Sequence, residues 1–550
     1  MRPHTRGVLT AALLGLAGIA TLDVGRASAQ GNLVVPLEGN PPVDPQLAVS
    51  PPTITGPGEA KANAYATACK LANFPDRPGR RGEQLVPEVA KNRFQLSDRG
   101  RTYTFGLRRG FRFNTGAPVR AANFVEAFNR TANPRMDSPG AAYMHEIKGA
   151  DAVIHGRASR VAGVRALGRY RLQIRLTKNA PDLLQRLTLP FFQAIPLDTP
   201  IVPGGVTVPS CGPYYYEFVD RPTENQPPPV SGVIILHKNP FYNGLRPHNV
   251  DRIIEPIGIG LDNQMASCEQ DIADICGFPV QQAAALRDKY GVNRGRFFVK
   301  GQAVFWYLNF NHDEPLFRGN NRLKQAVNHA IDRPQMVRQH GALGGARTDQ
   351  ILPIDFPGFR NWNLYSLRGA RTERARQLAQ GHRRSGKVQL WYPDNGWGAS
   401  VAQVVQFNLE QIGLDTDITS LDRVVETTRA ANRRTNDYDI LLNGWGEDYP
   451  DPYDFLNILL SGTSIQPDNN VNLSYFNERG WNRAMGHVST ITGLQRHRVY
   501  SLLDREVMQG PSPVAPYINT NARILVSSRV RNHIFHKVYG TDFAALNLVQ

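Results

Sequence analysis

The chain has 550 residues, 41% hydrophobic and 20% charged, with a formal net charge of +16. Those proportions exclude a polytopic membrane protein and a wholly disordered chain. At roughly 100–200 residues per domain, the length predicts two to four domains rather than one core.

The N-terminal segment reads as an export signal. Arg2 and Arg6 precede an apolar run from Val8 to about Leu22, and Ala27 and Ala29 fit a cleavage site before Gln30. Gly15 and Gly18 interrupt the run, which is too short to favour a spanning helix. Residues 1–29 are therefore expected to be removed, leaving a soluble protein in the periplasm or another extracytoplasmic space. Export allows Cys69, Cys211, Cys268 and Cys276 to oxidise. Cys268 and Cys276 are close in sequence and could pair, leaving Cys69 with Cys211, although four cysteines allow three pairings. No Cys-x-x-Cys is present, and no metal or cofactor is expected.

In chain order, Leu33 to Leu37 reads as a strand, and the Pro- and Gly-rich stretch from Pro41 to Pro57 as extended loop. Ala60 to Leu71 is helix-like. Arg101 to Arg108 and Tyr170 to Leu176 alternate as half-buried strands, with a helix predicted from Arg120 to Asn129 between them. Strands follow at Tyr215–Val219, Gly232–His237, Asp251–Pro256 and Val304–Asn309, and Asn321 to Ile331 is an amphipathic helix. From Arg371 helices and strands alternate: helix near 371–380, strand 388–391, helix 399–412, strand 415–419, helix 422–432 and strand 438–443. That alternation predicts βαβ units in a parallel or mixed sheet.

Catalytic signatures are mostly missing: no Gly-x-Ser-x-Gly elbow, no Walker loop, no Gly-x-Gly-x-x-Gly after a strand. His145-Glu146 lacks the second His of a zinc-protease helix. The arginines, including Arg108-Arg109, Arg383-Arg384 and Arg433-Arg434, are scattered without aromatic interleaving, so no nucleic-acid partner is expected.

The informative segment is Asn443-Gly444-Trp445-Gly446-Glu447-Asp448-Tyr449-Pro450-Asp451-Pro452, just after a predicted strand. A carboxylate past a strand end, flanked by Trp445 and Tyr449, has the composition of a ligand crevice. Asp448 could neutralise an ammonium there, and the rings could add cation–π contact. The competing reading makes Asp448 and Asp451 turn residues and Trp445 core.

The order of motifs resembles the family 5 extracellular solute-binding proteins of ABC importers, the oligopeptide- and dipeptide-binding type. The resemblance rests on Leu85 to Ala90, Leu96 to Arg108 and Phe113 to Val119, then on Cys211-Gly212-Pro213-Tyr214 and Leu236 to Tyr242. It continues through Leu308 to Asn311 with Leu323 to Arg333, the Trp445–Pro452 segment, and Pro516 to Arg523. It implies an α/β fold of two lobes with mixed sheets, hinge crossovers and an inserted extra domain. The boundaries expected are 30–58, 191–298 and 507–550 for lobe I, 59–190 for the inserted domain and 299–506 for lobe II. It further implies a monomeric receptor, not an enzyme, that closes on a short peptide or other small solute and delivers it to ABC permease subunits. In that reading Asp448 matches the position holding a peptide's α-ammonium, Trp445 and Tyr449 line the cleft, and Gly446 offers backbone groups. Tyr517 matches an aromatic position on the facing lobe.

The chain departs from the family pattern at Ala122-Asn123, where an acidic pair is usual, and at Cys211, which replaces a Thr. The stretches 41–58 and 222–231 do not match well. Two other readings follow from the residues: a secreted hydrolase using Asp448 and Asp451, and metal-chelate uptake through His312, His533 or His536, the last two spaced to share a helix face.

Overall fold

The computed structural model describes residues 31–39, 43–47, 59–75, 77, 81–202, 205–220, 232–421, 429–466 and 468–549. The expected signal segment, most of the 41–58 loop, the 222–231 loop and most of the 422–432 helix lie outside the described residues. No helix among the described residues is long and apolar enough to cross a membrane.

Three sheets organise the molecule. The first runs in the order Asn32–Val34, Arg252–Ile257, Gly232–Lys238, Tyr214–Asp220, parallel at its first pair and antiparallel after it. The second, within the expected inserted domain, is antiparallel in the order Ala90–Ser97, Thr102–Leu107, Arg171–Arg175, Val164–Ala166. The Thr102–Leu107 strand buries Tyr103, Phe105 and Leu107 on one face, the alternation read from the sequence.

The third sheet has seven strands. Ile275–Cys276, Val514–Val526, Phe297–Phe310, Ile440–Gly446, Val388–Pro393 and Thr416–Leu421 form its path, and Gly345–Arg347 adds to Val514–Val526. The pairs made by Val388–Pro393 are parallel and the others antiparallel, so the sheet is mixed. Helices Asn321–Ala330 and Gly398–Glu410 cover one face through Leu323, Val327, Val401, Val405 and Leu409. Both present an apolar stripe at helical spacing, which explains why they fold against this sheet.

Two of its strands are unusually long. Phe297–Phe310 and Val514–Val526 run antiparallel from the core around Ile275 and Val526 into the core around Leu308 and Ile518. They are the crossovers between lobes, and their ladder is irregular between Gly301 and Phe305. The C-terminal crossing is carried by the Val514–Val526 strand.

The departure at Ala122-Asn123 has a local explanation. Helix Ala121–Ala132 begins there, and Asn123 Oδ1 accepts from Arg120 N at 2.8 Å, as an acidic residue would in a capping box. Its amide also donates to the Ile195 carbonyl at 2.8 Å, which a carboxylate could not do. Cys69 is bonded to Cys211 and Cys268 to Cys276.

Candidate functional site

The Ile440–Gly446 strand is fully buried at the centre of the seven-stranded sheet. Its side chains alternate: Leu442 joins the core beneath the helices, whereas Leu441 and Trp445 point to the opposite face. Gly444 lies over the Trp306 indole, where a Cβ would come within 2.6 Å of the ring. The chain then turns through Glu447 to Pro452 into helix Tyr453–Leu460, whose first turn carries Asp454. Asp454 Oδ2 accepts from Asp448 N at 2.8 Å, and Asp451 Oδ1 from Tyr453 N at 2.9 Å. Both carboxylates therefore shape the turn that presents Asp448.

Asp448 is 2% exposed and lies against Tyr143, a residue of the expected inserted domain. Its Oδ2 accepts a short hydrogen bond from the Tyr143 hydroxyl. Burial, then the Asp448 and Asp454 charges, hold the Tyr143 phenol far above its ordinary range. Tyr65 is raised by the same combination, burial first and Asp448 next. Two phenols from outside the second lobe thus share the neighbourhood of this carboxylate and stay protonated at any physiological pH. A carboxylate among hydrogen-bond donors, out of water, suits a bound cation.

Trp445 is buried, and its Nε1 finds no acceptor among the described residues. Gly446 ends the strand opposite Val304, which a Cβ would meet at 3.0 Å. Tyr449 stands edge-on to Tyr143 at 6.2 Å, and its hydroxyl donates to Asp182 Oδ2 at 3.0 Å. The structure therefore gathers Trp445, Gly446, Asp448 and Tyr449 into one buried turn. Sequence reasoning missed Tyr65 and Tyr143, which come from distant segments and carry no motif of their own.

Tyr517 is elsewhere. It sits in the Val514–Val526 strand of the same sheet as Trp445, not on a facing lobe, and packs in the core on the other side. Its hydroxyl meets His340 Nε2 at 2.9 Å. Ordinary alternation puts it on the face of Ala515, and a register shift between Trp306 and Tyr307 brings Ile518 to that core as well.

The residues of the alternative readings have other partners. Asp451 is gripped by Arg496 through Nε at 2.8 Å and Nη2 at 2.7 Å. His312 Nε2 is 2.7 Å from Lys324 Nζ, and its Nδ1 meets the Phe310 and Ser474 carbonyls. Burial and Lys324 push it down to about 3. His533 stacks on Phe298 and His536 on Tyr539, and Phe535–His536 is a strand rather than a helix. Among the described residues no group of three or more His, Cys, Asp or Glu is placed to hold a metal ion.

Comparison with known proteins places this architecture. Residues 84–467 match the profile of the bacterial extracellular solute-binding proteins, family 5. The Escherichia coli protein described as a probable deoxycholate-binding periplasmic protein is 23% identical over 79% of this chain and 80% of its own. The E. coli periplasmic oligopeptide-binding protein OppA is 21% identical, covering 77% and 78%. Among solved structures, the E. coli murein tripeptide binding protein MppA superposes with a TM-score of 0.76 at 20% identity, covering 95% of this chain and 99% of that one. The unliganded open form of MppA, also 20% identical and covering 95% and 98%, superposes with a TM-score of 0.63. Two lobes, strand crossovers and a profile match over most of the length agree: the chain belongs to the bacterial extracellular solute-binding proteins of family 5.

Proposed function

We propose that this protein is the exported receptor of an ABC import system, that it encloses a short peptide or similar cation-headed solute between its lobes, and that Asp448 holds the positive end. Residues 59–190 act as the inserted domain, between parts of lobe I at 30–58 and 191–298, with lobe II at 299–506 and the last part of lobe I at 507–550. The observation that carries the reading is the buried Asp448 carboxylate at the end of the central strand, facing Tyr143 from the inserted domain. Trp445 and Tyr449 supply apolar walls beside it. An anionic head group would meet a carboxylate out of water, which disfavours it at this end of the cleft. The solute leaves chemically unchanged, to be taken up by permease subunits, and one copy of the chain suffices to form the cleft.

The test is capture of pooled tri- to pentapeptides, free and N-acetylated, read by native mass spectrometry on wild type and Asp448→Asn. A charge-assisted hydrogen bond in such a site contributes about 1.5–3 kcal/mol. Acetylation or the substitution should therefore weaken capture by about one to two orders of magnitude. Equal capture of acetylated and free peptides would remove Asp448 from ammonium recognition, and cleaved products would replace the receptor with an enzyme.

A further inference from the structure

A buried ionic seam joins the inserted domain to the second lobe and includes Tyr449 and Asp451 of the turn that carries Asp448. On the inserted-domain side Arg186 binds Asp182 through Nε at 2.7 Å and Nη2 at 3.0 Å, and Glu146 through Nη1 at 2.6 Å. On the other side Arg496 binds Asp451. Across the seam the Tyr449 hydroxyl donates to Asp182 and the Tyr453 hydroxyl to Glu146, each at 3.0 Å. The Arg186 guanidinium lies 4.0 Å from the Tyr453 ring centroid, and Arg496 Nη2 is 3.6 Å from Asp182. All of these side chains are buried. At the rim Lys178 adds a bond to Ser489 at 3.4 Å and a 3.6 Å ion pair to Glu146.

The way charge is divided sets this seam apart from the other domain contacts. Each arginine has its short carboxylate partners on its own side. What crosses is two phenol–carboxylate bonds, the Lys178–Ser489 bond at the rim, one cation–π contact and one long ion pair, with the Tyr143–Asp448 bond beside them as a third phenol–carboxylate bond. Parting the two sides therefore leaves neither with an uncompensated buried charge, and water can replace the phenols.

The inserted domain meets the first lobe in the opposite manner. Asp44 and Arg130 form a buried bidentate pair, split between the two, and Arg246 Nε pairs with Glu88 at 2.7 Å in a second, single-bonded one. Separating either would strand both charges, at a cost of several kcal/mol. The Cys69–Cys211 bond holds the same junction covalently. So the inserted domain is fixed to the first lobe, and separation is confined to the seam.

We infer that this seam is the closure latch of the receptor: it parts when the cleft opens and reforms when the cleft shuts on a solute. The inference rests on the receptor reading proposed above. Its link to the ligand end is short, because Tyr143 donates to Asp448 through its hydroxyl and accepts from Arg186 Nη1 at 3.3 Å through its carbonyl.

The test uses the double variant Tyr449→Phe/Tyr453→Phe, which removes only these two crossing hydroxyls. Spin labels at Arg165→Cys and Arg479→Cys, both exposed, report the lobe separation, since the native cysteines are all bonded. Distances are measured after ligand is stripped, and again across a titration with the tri- to pentapeptide pool. The variant should lower the closed-to-open ratio of the stripped protein at least about tenfold, or raise half-saturation by the same factor. Identical distances and identical half-saturation would overturn the latch. A protein that takes no peptide but still opens in the variant would overturn the peptide reading and keep the latch. Circular dichroism melting checks that both forms are folded.

Discussion

Replacing Arg186 with Met tests the energetics of the seam most directly. The guanidinium is buried, makes three carboxylate bonds and lies over the Tyr453 ring. Methionine fills most of the volume, so the loss is electrostatic rather than a cavity. Burial alone would raise Glu146, yet Arg186 and then Lys178 hold it down to about 2 from 4.5. A shift of that size corresponds to roughly 3 kcal/mol. Because the folded value is depressed, this stability is fully present above about pH 4.5 and is lost as pH falls toward 2. Without Arg186 the sign reverses: burial prevails, Glu146 prefers its proton, and the folded state suffers as pH rises. Arg186→Met should therefore cost about 3–5 kcal/mol at pH 7. The cost should shrink by more than about 1 kcal/mol at pH 4.5, or on adding Glu146→Gln. Denaturant midpoints at both pH values, followed by intrinsic fluorescence, measure it. A loss below about 1 kcal/mol, or one identical at both pH values, would refute the assignment of Arg186 as the charge that permits Glu146 to be buried.

Two further outcomes are expected. Cys69–Cys211 closes a loop with a sequence separation of 142 and Cys268–Cys276 one of 8, so loop-closure entropy predicts about 5 and about 2.5 kcal/mol respectively; thermal melts of the paired Cys→Ala variants should rank in that order. Tyr517→Phe removes the bond to His340, should cost about 1 kcal/mol of stability and should leave peptide capture unchanged, because the ring lies in the core away from Trp445; reduced capture would return Tyr517 to the cleft.

Local chemistry made much of this fold legible. Alternation marked Thr102–Leu107 and Arg171–Arg175, and the helical stripe marked Asn321–Ala330, because each buries one face. The Trp445–Pro452 turn was legible for a related reason: glycines, prolines and carboxylates must punctuate a strand that ends against a helix. Tyr517 was carried over from the resemblance alone, and the core its ring enters depends on which face of the Val514–Val526 strand meets the helices, which the residue string does not mark. The seam went unread, although one part of it had a local signature. Asp182 and Arg186 stand four apart, the spacing of a local ion pair. Their partners at 449, 453 and 496 are set by tertiary packing, and Glu146 drew notice only as part of a failed metal motif.

The irregular ladder between Gly301 and Phe305 has a mechanical consequence. Where two strands already lack regular pairing, they can bend or twist without unzipping bonds elsewhere along their length. For the closing receptor proposed above, this irregular stretch offers a pivot of low elastic resistance. In the latch proposed above, the work of motion is concentrated in the buried seam, in phenols that exchange one oxygen partner for water.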